Sequence, residues 1–211
     1  MESSAITESS PAVEPFNIES LYDDCVKKTF SIFTSNNNNG AGFLYKDKYV
    51  ITNEHVLSES DSFTLIDINK NEYSGTIIFS DKSNDIAIIE INDYKGESVI
   101  FGDSDALLTG DEVLLIGNPA SGVPFSFSTG KRIELPEKLK NKLRTLADKL
   151  IPLDANIVSG YSGGPAFNKN GELIEINNAG YIDDLSEYEF DYLCFIIPIN
   201  RVKEIIEANT N

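Results

Sequence analysis

The chain has 211 residues, 41% hydrophobic and 24% charged, the balance of an ordinary globular protein with room for one domain or two small ones. Seventeen Lys and Arg stand against 34 Asp and Glu, and the net charge of -17 argues against nucleic-acid partners and anionic membrane surfaces. No run approaches the ~20 apolar residues of a membrane span, and one histidine with two distant cysteines cannot build a usual zinc site, so no metal or cofactor is expected.

Residues 1–17 are polar, rich in Ser and Glu, and read as a disordered tail. They lack the basic start and apolar core of a signal peptide, and a cytoplasmic location is the expectation. Ile18–Val26 places Leu21 and Cys25 at helical spacing. Strand-like runs bounded by turn residues follow at Lys28–Thr34, Ala41–Tyr45, Tyr49–Thr52, Ser62–Ile68, Glu72–Phe79 and Ile86–Ile91. A second set lies at Glu112–Gly117, Pro124–Thr129, Ala155–Val158, Gly164–Phe167, Glu172–Asn178 and Tyr192–Ile197, with Asn170-Gly171 as a hairpin signal. Between them, Leu135–Ile151 carries leucines at helical spacing, and Asn200–Glu207 reads as a closing amphipathic helix. The spacing predicts antiparallel sheets or barrels, not a parallel α/β sheet. Cys194 lies in an apolar run and Cys25 beside Asp23 and Asp24, so both are expected as free thiols.

The chemistry-bearing stretch is Ser159–Phe167, SGYSGGPAF, where three glycines crowd around Ser162. Its letters also fit the G-x-S-x-G elbow of α/β-hydrolases, in which the catalytic histidine follows the serine. The one histidine, His55, precedes it, and no strand–helix alternation surrounds it. A serine hydroxyl needs an adjacent base, and His55 sits where a strand ends in a polar turn. The order His, Asp, Ser belongs to the chymotrypsin-type triad. Asp85 is the best carboxylate, because it opens the apolar run Ile86–Ile91. Asp81, Asp93, Asp103, Asp105 and Asp111 have no such run behind them.

With these residues in place, the chain resembles trypsin-like serine proteases of the chymotrypsin fold, closest to the Deg/HtrA type. The resemblance is carried by Gly40-Ala41-Gly42-Phe43, Ile51-Thr52-Asn53-Glu54-His55-Val56, Asp85-Ile86-Ala87-Ile88-Ile89, the segment 101–119, and Asp154 to Pro165, and covers about residues 28–207. It implies an all-β fold of two antiparallel six-stranded barrels. The first, with the N-terminal helix, would occupy 18–108 and hold His55 and Asp85. The second, 109–211, would hold Ser162, a helical insertion at 135–151 and a C-terminal helix at 200–207. The implied activity is that of a serine endopeptidase acting through an acyl-enzyme, with His55 as base and then acid, Asp85 orienting it and Ser162 attacking. The oxyanion hole would be the amides of Gly160 and Ser162. A catalytically locked module that captures extended polypeptide is the alternative. No PDZ segment is expected within these residues.

The resemblance places the specificity pocket between Asn156-Ile157 and the strand Asn178-Ala179-Gly180-Tyr181, which would also pair with an extended substrate. Neither wall carries an acidic residue, and a small or medium apolar residue N-terminal to the cleaved bond is the expectation. The acidic stretch 183–191 either attracts basic residues flanking that bond or is merely solvated. The leucine stripe of 135–151 either faces the core or docks an activating partner. Tyr161, where the family usually carries Asn, either packs inertly or holds the oxyanion loop in one of two states.

Overall fold

The computed structural model describes residues 17–58, 60–119, 122–181 and 185–210, except for the side chains of Ala179 and Tyr181. The expected tail therefore lies outside the described residues, apart from Asn17. The Asn17 side chain accepts the Ser20 amide and caps α1 (Ile18–Cys25), which ends in a short 3-10 turn.

A seven-stranded antiparallel sheet follows, built from β1 (Thr29–Thr34), β2 (Asn39–Tyr45), β3 (Tyr49–Thr52), β4 (Phe63–Ile66), β5 (Glu72–Tyr73), β6 (Gly75–Asp81) and β7 (Ile86–Ile91), with α2 (Glu54–Leu57) after β3. Its order is β5-β4-β1-β2-β3-β7-β6. The two edge strands are consecutive in the chain and separated only by Ser74, so the sheet has to curl until its edges lie within one residue's reach. The fold is chymotrypsin-like, but this first half is a curled sheet and not a barrel closed by hydrogen bonds. The same break at Ser74 divides the single strand expected over 72–79.

The second half is a closed barrel of six strands in the order β10-β13-β12-β11-β8-β9. Its members are β8 (Glu112–Gly117), β9 (Ser126–Arg132), β10 (Ile151–Ala155), β11 (Pro165–Phe167), β12 (Leu173–Tyr181) and β13 (Leu193–Pro198). Between β9 and β10 the expected helix over 135–151 is two short ones, α3 (Glu137–Lys142) and α4 (Arg144–Ala147), broken at Leu143, whose φ of -105° and ψ of 23° are not helical. Ile151 belongs to β10, because Pro152 cannot continue a helix. Residues 156–158, expected as strand, lie beyond its end. The leucine stripe packs on the chain itself: Leu139 is buried with Leu193 and Phe195 of β13, and Leu135, Leu143, Leu146 and Leu150 lie partly buried around them. Helix α5 (Ile199–Ala208) closes the chain and buries Ile199, Val202 and Ile206.

Strand β7 shows how the halves join. Ala87, Ile89 and Ile91 face the interior of the first sheet with Leu44 and Val50. Ile86 and Ile88 point the other way and pack with Leu114, Ile116, Phe167 and Ile176 of the second. A strand buried on both faces reads as a continuous apolar run, and Asp85, immediately before it, is therefore held at the seam between the two halves. Cys25 and Cys194 are free and buried, and burial pushes the Cys25 thiol up to about 11.

Candidate active site

Register brings His55 to Asp85. Strands β3 and β7 pair antiparallel with Thr52 opposite Ala87, so the residues leaving β3 meet those entering β7. The turn ahead of Asp85 is shaped by Asp81, whose carboxylate accepts from the Ser83 amide at 2.9 Å and the Asn84 side chain at 2.7 Å. Those bonds, led by Asn84, lower the Asp81 pKa to about 2. Asp85 itself has φ +56°, a left-handed conformation uncommon outside glycine. It is held there by Asn53, whose side chain donates to the Asp85 carbonyl at 2.9 Å.

The Asp85 carboxylate takes both N–H groups of His55 that face it. The backbone amide donates to Oδ1 at 3.0 Å, and Nδ1 lies 2.8 Å from Oδ2. A carboxylate only accepts, so Nδ1 carries a proton, and Nε2 is the acceptor of the ring in its neutral form. The His55 side chain is 47% exposed and faces the cleft, whereas Asp85 is 24% exposed.

Ser162 stands on the other side of the seam, in the loop between β10 and β11. Tyr161 N–H closes a four-residue turn onto Val158 O at 3.1 Å, with Gly160 third in it at φ +102°. A positive φ at that position is the type II pattern, which demands glycine. Space demands it too, since a Cβ on Gly160 would lie 2.0 Å from Asn118 O. Gly163, at φ +78°, turns the chain back so that its amide reaches Asn177 O at 2.9 Å. The Ser162 carbonyl accepts from Ala41 N–H at 2.9 Å, and Thr52 Oγ1 donates to Ala41 O at 2.7 Å, tying the serine loop to the strand that leads to His55. Among the described residues, neither Gly160 N–H nor Ser162 N–H is spent on a protein acceptor.

The Ser162 hydroxyl donates to the backbone carbonyl of Asn178 at 3.0 Å, and no hydrogen bond joins it to His55. The side chain of the same asparagine donates to Asp85 Oδ2 at 2.6 Å. The sequence places Asn178 in the pocket wall and in the strand that pairs with an extended substrate. Its link to the carboxylate was not foreseen, because nothing local in the sequence of β12 points toward β7.

Ser162 also lines a cavity of about 510 Å³ with Asn156, Ile157, Tyr161, Asn178 and Gly180. Gly180 keeps the walls apart: a Cβ there would press on Ile157 O at 3.2 Å. The backbone of Ala179 and Tyr181 continues β12, while their side chains lie outside the described residues. The cavity has a wall that the sequence reading did not include, Asp191-Tyr192-Leu193, brought in by the β12–β13 hairpin. Of the acidic stretch, Asp183 and Asp184 lie outside the described residues, and Glu187 is paired with Lys138 at 2.7 Å. Tyr161 is buried in the core of the second barrel, and burial raises its pKa.

The profile of the trypsin-like peptidase domain matches residues 40–176. A probable periplasmic serine endoprotease, DegP-like, of Brucella suis biovar 1 (strain 1330) is 32% identical over 171 residues, which are 80% of this chain and 32% of that protein. The serine protease Do-like HtrB of Bacillus subtilis (strain 168) is 33% identical over 176 residues, 79% of this chain and 37% of that one. The chain thus spans about one third of the length of the curated relatives it matches. Among solved structures, the HtrA-type protease AlgW with a tripeptide superposes with a TM-score of 0.77 at 25% identity, covering 91% of this chain and 63% of that one.

Proposed function

Because the chain belongs to the trypsin-like peptidase family, we propose that it is a serine endopeptidase whose reacting groups are Ser162, His55 and Asp85. They work in the cleft between an N-terminal unit, 18–108, and a C-terminal unit, 109–211. The observation that carries the reading is the grip of Asp85 on both the Nδ1 and the backbone N–H of His55, which leaves Nε2 as a base facing the cleft. Ser162 Oγ rotates from Asn178 O to His55 Nε2, gives up its proton and attacks the substrate carbonyl. The developing oxyanion is met by the unspent amides of Gly160 and Ser162, each such donor being worth about 2.7–4 kcal/mol of barrier. His55 then protonates the leaving amine, and water, activated by the same imidazole, releases the acyl group.

The substrate is an extended polypeptide laid along 178–180 as an added strand. The solved structure of the HtrA-type protease AlgW with a tripeptide supports a peptide as the class of molecule bound. The expectation of a cytoplasmic location draws no support from the relatives, several of which are named periplasmic, and an extracytoplasmic location fits them better. No helix among the described residues is long and apolar enough to cross a membrane. An activating partner at 135–151 would have to bind beside a leucine stripe already packed on β13.

The alternative, a locked module that captures extended segments, is favoured by one observation, the Ser162 hydroxyl turned to Asn178. A fluorophosphonate probe separates the two readings, since it labels only a serine served by a base and an oxyanion hole. Labelling of the wild-type protein that disappears in Ser162→Ala and His55→Ala supports the peptidase. An unlabelled wild-type protein supports the locked module.

A further inference from the structure

The insertion between β9 and β10 carries a charge opposite to that of the rest of the chain. Residues 138–149 hold five of the 17 Lys and Arg, namely Lys138, Lys140, Lys142, Arg144 and Lys149, against one acid, Asp148. Elsewhere twelve basic residues stand against 33 acidic ones. All five cations are exposed, whereas Leu139, Leu143 and Leu146 pack inward with Leu193 and Phe195 of β13. The two longer helices are not built this way. Helix α1 has no Lys or Arg, and α5 sets Arg201 and Lys203 against Glu204 and Glu207.

The fold makes little use of this charge. Lys138 is bonded to Glu187 at 2.7 Å and Arg144 lies 3.7 Å from Asp148, but Lys140 and Lys149 have no ion-pair partner among the described residues. Exposed pairs of this kind contribute little to stability. Lys138 and Lys142, four residues apart on one face of α3, repel each other. Lys138 lies in the first turn of α3 and Arg144 opens α4, positions where the helix dipole disfavours a cation. Only Lys140 and Lys142, in the last turn of α3, suit the dipole. Local helix stability therefore accounts for two of the five at most, and the outward face as a whole is matched to an anion from outside the chain.

The surroundings restrict which anion fits. At the helical rise, residues 137–147 run for at most roughly 16 Å, while charges at physiological salt are screened beyond about 8 Å. A nucleic-acid duplex or an anionic membrane extends well past such a patch and meets the acidic remainder of the surface. A second copy of the chain, with a net charge of -17, is repelled as a whole. A short acidic polypeptide covers the patch without overlapping the rest. We infer that the outward face of residues 138–149 is a docking surface for an acidic segment of a partner protein. Its carboxylates bind Lys140, Lys142 and Arg144 and compete with Glu187 for Lys138. The inference stands apart from the peptidase reading, because it involves none of the cleft residues.

Fluorescence anisotropy on the full chain tests this, with a labelled peptide of alternating Glu and Ser as the probe and the Gln–Ser peptide as its neutral counterpart. Wild type should bind the acidic peptide and not the neutral one, and binding should vanish near about 1 M salt, where the screening length is about 3 Å. Lys140→Glu/Arg144→Glu should weaken it by about tenfold or more, the effect of reversing a few exposed ion pairs. Lys95→Glu/Lys169→Glu makes the same change in net charge at exposed sites outside the insertion and should leave the affinity nearly unchanged. Glu187→Gln frees Lys138 and should tighten binding, whereas Glu189→Gln, an equal charge change at a neighbouring exposed acid, should not. Equal binding of the acidic and neutral peptides, or equal losses in the two double variants, overturns the inference. Equal effects of the Glu187 and Glu189 changes overturn the competition for Lys138. Binding of duplex DNA or of phosphatidylserine vesicles in place of the peptide overturns it in favour of that polyanion. Self-association in sedimentation that Lys140→Glu/Arg144→Glu abolishes overturns it in favour of a second copy.

Discussion

Asn178 and Asp85 are joined across the seam of the molecule by a 2.6 Å hydrogen bond, amide to carboxylate. Asp85 stands at the mouth of the first sheet and Asn178 in a strand of the second barrel, so the bond makes the orientation of the carboxylate depend on how the halves sit together. It also fills the acceptor site on Oδ2 opposite His55. Replacing Asn178 with Ala removes the donor but leaves the backbone carbonyl that holds Ser162. Loss of one hydrogen bond to a charged group predicts a fall in kcat/KM of about tenfold. Asn178→Asp should be worse than Asn178→Ala, since it sets a second carboxylate against the first. Rates of fluorophosphonate labelling across the three proteins check the order, and an Asp variant equal to the Ala variant would contradict this account of Asn178.

Gly160 is fixed by both conformation and space, with φ +102° and room for no Cβ beside Asn118 O. Gly160→Ala has to unfold the turn locally, and its amide then leaves the cleft. The expected result is a loss of about 10²–10³ in kcat, the size of one missing oxyanion donor, with a chain that still unfolds cooperatively. Labelling rate and a urea melt on the same sample separate the two effects.

Much of the candidate site is legible in the sequence because its chemistry admits few solutions. One histidine leaves one possible base, and its position before Ser162 selects the chain order. The apolar run Ile86–Ile91 distinguishes Asp85 from its neighbours, since a strand buried on both faces carries its first residue to the seam. The bond from Asn178 to Asp85 and the cavity wall at Asp191-Tyr192-Leu193 are not legible in the same way. Each reaches the site through tertiary closure, one across the seam and the other through the β12–β13 hairpin. The fold is legible where strands alternate or run apolar between turns. It fails at Ile151–Ala155, where leucines at 146 and 150 extend the helical pattern into a strand. It also fails at Ser74, where a single residue breaks a continuous β pattern at the edges of the curled sheet.

Tyr161 packs against Gly117, where a Cβ would lie 2.5 Å from the Tyr161 ring. A side chain 5% exposed among Leu115, Ala155 and Ile196 holds the turn through its ring. Tyr161→Phe should therefore keep full labelling and a melting point close to wild type. Tyr161→Ala should lose about 3 kcal/mol, the low end for deleting a buried aromatic ring, and should label more slowly because the turn at Gly160 loses its support. Gly117→Ala should slow labelling as Tyr161→Ala does, by displacing the ring. If the phenylalanine variant labelled as slowly as the alanine variant, the ring would not be what matters at this position.

Glu175 lies fully buried in β12, and neither carboxylate oxygen has a hydrogen-bond partner among the described residues. Burial raises its pKa well above the ordinary 4.5, and the positive charge of Arg132 opposes this only in part. The folded protein therefore holds this proton at pH values where the unfolded chain has released it. Stability contributed by the protonated group is fully present below about 4.5 and declines as pH rises from there toward the folded-state pKa. Glu175→Gln removes the titration, and Glu175→Met also removes the unpartnered polar atoms at similar length. Both variants should show a flatter dependence of unfolding free energy on pH between 5 and 8 than wild type. Glu175→Met should be the more stable at pH 8 by about 1–3 kcal/mol, the cost of a buried group left without a partner. Urea melts across that pH range decide it, and parallel curves for wild type and both variants would mean that Glu175 does not hold its proton in the folded chain.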